Sequence, residues 1–202
     1  MRKSQLAYLP LKRLIGIVGS IVGIIVCFVL LWWWVIPINA IVTKGHPFFI
    51  HRRLGRYKKP FKLIKFRSMK LDANPNLAPS NMSVAKQASM ETKFGKFLRV
   101  TSIDETPQLF NILVGQMAFI GPRPGAEINE DELIRLREQY TPSAFEVRPG
   151  LSGYAQTRIN RDHDPNKKAY LDHYYVTRIS LWFDILIFGY TVLKLFGLAK
   201  GR

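Results

Sequence analysis

The sequence has a single cysteine and no acidic residue in its first third. Cys27 has no partner within the chain, so an intramolecular disulfide is excluded. The first acidic residue is Asp72, whereas residues 1–71 carry fourteen Lys and Arg. The rest of the chain carries sixteen basic and fourteen acidic residues, so the net charge of +16 belongs to the N-terminal third. Such a basic region suits anionic lipid headgroups or nucleic acid, which both present phosphates.

Several well-defined site motifs are also absent. No Gly-x-Gly-x-x-Gly or Walker sequence occurs, so neither a Rossmann nor a P-loop nucleotide site is supported. No Gly-x-Ser-x-Gly nucleophile elbow is present. The four histidines show no zinc-like spacing with the cysteine or with each other.

One long apolar segment dominates the N-terminal part. The thirty residues from Leu14 to Thr43 carry no charge, and as a helix they span roughly 45 Å, more than a bilayer core of about 30 Å. Basic residues flank both ends, which favours a re-entrant helix with both ends in the cytoplasm over a simple span. Pro37 is a candidate position for the bend. We therefore predict a membrane-inserted segment at 1–45 and a cytoplasmic domain at 46–202.

The remainder predicts a mixed α+β domain of short elements. Residues 46–70 indicate a β-hairpin with Gly55 in its turn, because 47–50 form a short apolar strand and 61–67 interleave apolar with basic residues. Residues 72–90 read as a loop. The apolar spacing predicts helices around Phe94–Leu98, at 106–114 up to Gly115, at 127–140 with a solvated surface, and at 166–178. The last apolar run, 179–198, is interrupted by Asp184 and Lys194, which favours an amphipathic interfacial helix.

Adjacent carboxylates at Asp104 and Glu105 are the sharpest local feature. Such a pair suits Mg²⁺, which takes one or two carboxylates together with substrate phosphates, and a carboxylate can also attack phosphorus. Two structural interpretations compete with catalysis. Ser102 and Glu105 have capping-box spacing; alternatively, Thr106 caps a helix whose first residue is Pro107, and both acids precede that helix.

Basic residues at separate points of the chain are candidates for binding phosphate. Arg123 is held between two prolines in Gly121-Pro-Arg-Pro124, which preorganises its guanidinium. Arg99 precedes the acid pair, Lys65 and Arg67 belong to the hairpin, and Arg148 lies in an Arg-Pro-Gly turn. Taken singly, a residue of this kind is more often a solvated surface charge.

The ordered set of motifs resembles the monotopic phosphoglycosyl transferases, the bacterial sugar transferases that begin lipid-linked glycan assembly. The resemblance runs from about residue 12 to residue 190. The matching stretches are Lys12-Arg13, Pro47-Phe-Phe-Ile-His-Arg-Arg53, Phe61–Met69, Gly95–Arg99, Asp104-Glu-Thr-Pro-Gln-Leu109, Gly115-Gln-Met117, Gly121–Pro124, Arg148-Pro-Gly150, Gly153-Tyr-Ala-Gln156 and Asp172–Val176.

The resemblance implies a reaction and a set of roles. Asp104 is expected to attack the phosphate attached to the sugar of a UDP-sugar, so that UMP leaves and a phosphosugar-aspartyl enzyme remains. Undecaprenyl phosphate, or another polyprenyl phosphate, then accepts the phosphosugar. Glu105 is expected to help bind Mg²⁺ or to handle protons. Arg99 and Arg123 fall on positions associated with phosphate, and Gln156 is a further substrate-binding candidate.

The membrane helix departs from the family pattern. The Ser-Pro pair that often breaks this helix is replaced by Phe28-Val-Leu-Leu-Trp32, so either the break has moved or the helix crosses the membrane. The expected location is the bacterial inner membrane, with anionic lipids as neighbours and no nucleic-acid partner. Two alternatives to the enzyme are a membrane adaptor that binds anionic lipid or nucleic acid through residues 44–70, and an inactive transferase relative.

Overall fold

A computed structural model describes residues 2–71, 90–125, 130–159, 164–195 and 198. The fold is mixed α/β and mostly helical, as predicted. Its α-helices are α1 (Lys3–Cys27), α2 (Trp33–Val42), α3 (Lys93–Val100), α4 (Gln108–Leu113), α5 (Asp131–Glu138), α6 (Tyr154–Arg158), α7 (Pro165–Arg178) and α8 (Leu181–Leu195). Two sheets of two strands each contain β1 (Phe48–Leu54), β2 (Pro60–Phe66), β3 (Ala118–Ile120) and β4 (Gly150–Ser152).

The apolar N-terminal segment forms one continuous helix. Lys3–Val42 is long and apolar enough to cross a membrane, and no other helix in the described ranges meets that criterion. A π-helical segment, Phe28–Trp32, joins α1 to α2. Pro37 lies inside α2, where it offers no N–H to the turn before it and its ring crowds the carbonyl of Trp33. The irregular turn therefore adjoins the turn that Pro37 disrupts, and it occupies the segment where the resemblance implied a break.

This long helix lies against the rest of the protein along most of its length. Near its start, Gln5 Nε2 donates to the carbonyl of Val176 at 3.3 Å. Near its end, Asn39 Nδ2 donates to the carbonyl of Pro47 at 2.7 Å. Glycines permit close approach between these points, since a Cβ at Gly19 would lie 2.7 Å from the ring of Phe119. Both ends of the helix are thus fixed to one body.

The predicted hairpin is confirmed. Strands β1 and β2 pair antiparallel, with Phe48 opposite Phe66 and Leu54 opposite Pro60. The second sheet is parallel and pairs Ala118 with Gly150. The core forms three apolar clusters, which join the hairpin to α4, α2 to α3, and β3 to α7 and α8.

The short helices near the acid pair are also confirmed, with one change in their capping. Helix α4 occupies part of the predicted 106–114 and ends before Gly115, whose φ of +88° suits glycine. Asp104 and Glu105 precede α4 in a separate 3₁₀ turn, Ile103–Glu105. Ser102 makes no side-chain cap and has a left-handed φ of 55°, so the capping-box interpretation was wrong. The alternative was right that both acids precede the helix but wrong about the cap, since α4 begins at Gln108 with Pro107 at its N-cap position and no side-chain cap.

Buried ion pairs account for two charges that the sequence analysis placed at the surface. Arg137, on the predicted solvated helix, is 4% exposed and bonds Asp172 through Nε and Nη2, at 2.9 and 2.5 Å. The prediction of a fully solvated helix was wrong there, because an acid on α7 offers this guanidinium a partner. Asp184 of α8 is also buried and pairs with Lys12 of α1. Residues 72–89 of the predicted loop lie outside the described residues. So do residues 127–129, the start of the predicted helix 127–140.

The Arg137–Asp172 pair gives a stability prediction. Arg137→Met leaves the Asp172 carboxylate buried without its cation, which should cost about 3–5 kcal/mol and lower the thermal midpoint by roughly 10 °C. Thermal unfolding in detergent measures this. Arg135→Met, an exposed change on the same helix, should leave the midpoint within about 2 °C. A midpoint of Arg137→Met equal to that of Arg135→Met would contradict the assignment.

Candidate active site

Asp104 is a buried carboxylate on a tightly held turn. The residue is 5% exposed, and two hydrogen bonds hold the turn in place. Trp32 Nε1, at the end of the π-helical segment, donates to Thr106 Oγ1 at 2.9 Å, and Thr106 Oγ1 donates to the carbonyl of Ile103 at 2.9 Å. The long N-terminal helix therefore helps to position the acid pair.

Asp104 and Glu105 line a large open cavity of about 910 Å³, at the upper end of what small-molecule sites occupy. One part of its wall is charged, and another is apolar. The charged and polar lining includes Arg53, Lys65, Arg99, Ser102, Asp104, Glu105, Arg123, Gln156, Thr191 and Lys194. The apolar lining includes Leu31, Val100, Leu109, Phe119, Leu151, Phe188 and Val192.

The cations converge on the acid pair from separate elements. Lys65 comes from β2, Arg99 from α3 and Arg123 from the turn after β3, and all three charges act on Asp104. Arg123 Nη2 lies 3.1 Å from Glu105 Oε1, and Arg99 pairs with Glu91. Lys65, Arg99 and Arg123, which the sequence suggested only as separate candidates, thus converge in the structure, and such a group of fixed cations suits a diphosphate.

Burial opposes these cations and sets the pKa values of the site. Desolvation, followed by the neighbouring charge of Glu105, raises the pKa of Asp104 to about 6, although Lys65, Arg99 and Arg123 act in the other direction. Desolvation also lowers the pKa of Lys65 to about 8, against the attraction of Asp104. Between these two values both groups are charged, which leaves a partly desolvated carboxylate beside a protonated amine.

Glycines allow the elements that carry two of these arginines to approach their neighbours. A Cβ at Gly95, on the helix of Arg99, would lie 2.0 Å from the carbonyl oxygen of Ser68. A Cβ at Gly121, next to the Pro-Arg-Pro turn, would lie 2.5 Å from the carbonyl oxygen of Arg148. Arg137 Nη2 also donates to the carbonyl of Arg123 at 3.0 Å. Side chains larger than hydrogen at these two glycines would displace Arg99 or Arg123.

The other predicted residues are divided between the cavity and the outside. Gln156 lines the cavity, and its buried Oε1 has no hydrogen-bond partner within the described residues. Arg67 is not in the lining; its Nε donates to the carbonyl of His46 and its guanidinium lies over the ring of Phe49. Arg148 lines a different, smaller cavity. The structure therefore places Gln156 with the acid pair and does not place Arg67 or Arg148 there.

Arg53 and Lys194 are cavity residues that the sequence analysis did not select. The charges of Arg123 and Glu105 act on Arg53, so it belongs to the same electrostatic group. Strict alternation along β1, which places Phe49, His51 and Arg53 on the less exposed face, was the available signal. Lys194 Nζ donates to the carbonyl of Gln156 at 2.9 Å. The available signal for Lys194 in the sequence was that it interrupts an otherwise apolar helix.

The donor chemistry of the acid pair is compatible with Mg²⁺. Two adjacent carboxylates facing a cavity lined by several cations match a site in which substrate phosphates complete the coordination. Within the ranges that the structure covers, no group of three or more His, Cys, Asp and Glu residues forms a metal cluster.

An apolar groove of about 370 Å³ adjoins the cavity. It lies between α1 and α8, and its lining includes Tyr8, Ile15, Leu181 and Ile185. Phe119, Ile120 and Phe188 line both the groove and the cavity. The apolar wall of the cavity thus continues between the two apolar helices.

Comparison with known proteins places this arrangement in a family. The chain is 35% identical over 160 residues to a UDP-glucose:undecaprenyl-phosphate glucose-1-phosphate transferase of Xanthomonas campestris, covering 77% of this chain and 32% of that protein. It is 35% identical over 194 residues to an undecaprenyl-phosphate galactose phosphotransferase of Salmonella typhimurium, covering 88% and 38%. The aligned part is about a third to two-fifths of each relative's length.

A third relative carries a different sugar in its name. It is a UDP-N-acetylgalactosamine-undecaprenyl-phosphate N-acetylgalactosaminephosphotransferase of Aeromonas hydrophila, 35% identical over 162 residues, which cover 74% of this chain and 35% of that protein. The family described as "Bacterial sugar transferase" matches residues 7–197, nearly the whole sequence. The chain belongs to the bacterial sugar transferase family.

Proposed function

We propose that this protein is a phosphoglycosyl transferase that moves a phosphosugar from a UDP-sugar to undecaprenyl phosphate. The observation that carries the proposal is the buried Asp104 carboxylate, which faces a cavity where Lys65, Arg99 and Arg123 converge. The named relatives use UDP-glucose, galactose and UDP-N-acetylgalactosamine chemistry, so we assign the donor to the class of UDP-sugars. The reaction begins the lipid-linked assembly of a glycan.

The first half-reaction forms a covalent intermediate on Asp104. A carboxylate oxygen of Asp104 attacks the phosphorus attached to the sugar, and the bond from that phosphorus to the bridging oxygen of the diphosphate breaks. The bridging oxygen keeps the electron pair and leaves as part of UMP, while the phosphosugar is bound to Asp104 as an acyl phosphate. The ionised carboxylate is the reactive form, because protonation makes its oxygens much weaker nucleophiles.

The second half-reaction releases the enzyme. A phosphate oxygen of undecaprenyl phosphate attacks the same phosphorus, and the bond to the Asp104 oxygen breaks. The carboxylate regains its electron pair, and the product is undecaprenyl-diphosphate-sugar. Neither step requires a proton transfer for its bonds to balance, so electrostatic stabilisation of the phosphoryl oxygens is the main demand on the site.

The cations and Glu105 divide this electrostatic work. Lys65, Arg99 and Arg123 bind the diphosphate oxygens, and we add Arg53 to this group. Glu105 holds the Arg123 guanidinium through their 3.1 Å contact. Asp104 and Glu105 would hold Mg²⁺, which when bound neutralises charge on the substrate's phosphate oxygens. Gln156 lines the cavity, and its Oε1, which has no hydrogen-bond partner among the described residues, would accept from a donor group on the nucleotide sugar.

The acceptor needs an apolar path to the acid pair. We place its isoprenoid chain in the groove between α1 and α8, because Phe119 and Phe188 line both that groove and the catalytic cavity. A chain entering there would bring its phosphate into the charged part of the cavity. The groove has almost no polar surface to compete with it.

The same geometry supports a re-entrant membrane helix. Gln5 and Asn39, near opposite ends of the helix, both hydrogen-bond to the domain that carries the active site. A helix crossing the bilayer would hold its ends on opposite sides, so we infer that the helix enters one leaflet and that the domain lies on the cytoplasmic face of the inner membrane. Exposed apolar residues on α8 such as Trp182 and Phe188 extend this membrane-facing surface.

Removal of the nucleophile tests the reaction directly. With purified protein, Mg²⁺, undecaprenyl phosphate and a panel of UDP-sugars, Asp104→Asn should lower UMP release by at least about 10³-fold, because an amide cannot attack phosphorus. Asp131→Asn, an exposed acid at the start of α5, is the matched control and should retain wild-type turnover. Wild-type-like release by Asp104→Asn would refute the assigned nucleophile.

The pKa values give a second test, on the first half-reaction alone. Single-turnover UMP release without acceptor should rise with pH through about 6, as Asp104 loses its proton, and fall above about 8, as Lys65 loses its charge. The donor diphosphate has no proton to lose in this range, so the profile reports on the protein. Lys65→Arg should keep the acidic limb and remove the basic limb, since arginine stays protonated. A basic limb unchanged in that variant would exclude Lys65 as its source.

Membrane topology has its own test. In a Cys27→Ser background, single cysteines are introduced by Ser4→Cys and His46→Cys. Both positions are exposed, and they lie on opposite sides of the uncharged run 14–43. Both should be protected from a membrane-impermeant maleimide in spheroplasts and labelled after the membrane is permeabilised. Opposite labelling of the two positions before permeabilisation would show that the helix spans the membrane.

A further inference from the structure

A second group of cations lies away from the catalytic cavity. Arg13 of α1, Arg56 of the hairpin turn and Arg148 of the Arg-Pro-Gly turn line a small cavity with Lys12, and no aspartate or glutamate is among the described lining residues. This cavity shares no lining residue with the one that contains Asp104. The reaction proposed above gives these arginines no role.

Backbone carbonyls hold the three guanidinium groups in place. Arg13 Nη1 and Nη2 donate to the carbonyls of Ile112 and Leu113 at 2.5 and 2.7 Å, which satisfies the end of α4. Arg148 Nε donates to the carbonyl of Gly115 at 2.8 Å.

Arg56 is fixed in the same way. Its Nε donates to the carbonyl of Glu146 at 2.8 Å. The outer nitrogens of Arg56 and Arg148 have no hydrogen-bond acceptor within the residues that the structure describes. The cluster thus has fixed positions and spare donors.

The like charges are close enough to affect each other. Burial lowers the pKa of Arg148, and the charges of Arg13 and Arg56 lower it further. Neutral carbonyls satisfy individual N–H groups but leave the net charge in place. A negatively charged ligand would remove that repulsion and would use the spare donors.

We propose that Arg13, Arg56 and Arg148 form a binding site for the phosphate of an anionic membrane-lipid headgroup. The cavity itself measures about 20 Å³, the room of one water molecule, so the phosphate lies at its mouth, against the outer nitrogens. A nucleotide could not be enclosed there. The choice of a lipid rests on the membrane placement inferred above and not on the transferase chemistry.

The position of the cluster on α1 favours a lipid over a free anion. Arg13 is the last charged residue before the uncharged run that begins at Leu14. Leu11, Leu14 and Ile15, on other faces of the same turns, are exposed and apolar. Lipid tails around those side chains would bring headgroups to the level of Arg13. The site would then connect the membrane surface to α4, the helix that follows the acid pair.

Thermal stabilisation of the full chain in neutral detergent tests this site without an activity assay. The probes are short-chain phosphatidylglycerol, short-chain phosphatidylcholine and inorganic phosphate. Saturating phosphatidylglycerol should raise the midpoint by roughly 5 °C, and the other two probes should raise it much less. Arg56→Gln, which removes a guanidinium with one hydrogen bond to the protein, should lose most of this shift. Lys62→Gln removes the same charge from an exposed position of the same hairpin and should keep it.

Each outcome decides the proposal. A full phosphatidylglycerol shift in Arg56→Gln, or no shift in the wild type, would overturn the site. An equal shift with inorganic phosphate would overturn the lipid assignment in favour of a free anion. If Arg56→Gln does not fold, Arg56→Lys keeps the charge without the paired outer N–H groups; a severalfold weaker response to phosphatidylglycerol would support the site, and an unchanged response would overturn it. UMP release plays no part in these measurements, so this proposal and the transferase proposal can fail independently.

Discussion

The candidate active site depends on the burial of one carboxylate among cations that separate elements supply. Asp104 is removed from water on a short turn, and the cost of that burial raises its pKa to about 6 despite Lys65, Arg99 and Arg123. These cations come from three separate elements: the hairpin, α3 and the Pro-Arg-Pro turn. Their convergence therefore requires those elements to dock in fixed positions around the turn that carries Asp104. The cations offset only part of the cost of burying Asp104. Its carboxylate is therefore partly desolvated and able to contact phosphate or a metal ion.

The long apolar helix contributes to this docking and also exposes the apolar surface that we propose faces the membrane. Trp32 reaches from its irregular turn to Thr106, beside the acid pair, and Arg13 holds the carbonyls at the end of α4. Helix α4 is thus held at its start and at its end by the same long helix. This connection would explain why the proposed catalytic site lies next to the membrane surface. The long helix, which would face the lipid, also positions the acid pair.

Local patterns in the sequence predicted the hairpin and the helices α3, α4, α5, α7 and α8, because each is marked by its own residues, but they did not predict β3, β4 or α6. The hairpin followed from a short apolar strand and a second strand of interleaved apolar and basic residues, and the end of α4 followed from Gly115. The partners of buried charges were not predictable in this way. Arg137 and Asp184 read as surface charges, yet each meets its partner across tertiary contacts with α7 and α1. Likewise, sequence could suggest five cations near the acid pair but could not separate Lys65, Arg99 and Arg123, which converge there, from Arg67 and Arg148, which do not. A local motif located the acid pair, the ordered resemblance to a family gave it an expected role, and three-dimensional packing selected its neighbours.

The measurement that tests the central claim most directly is the identification of the covalent intermediate. The protein is incubated with a UDP-sugar and Mg²⁺ without acceptor, quenched rapidly, digested and analysed by mass spectrometry. If Asp104 is the nucleophile, the peptide that contains it should gain the mass of one phosphosugar. Adding undecaprenyl phosphate before the quench should remove that added mass. An adduct on a different residue, or UMP formation at full turnover with an unmodified Asp104 peptide at every time point, would contradict the account.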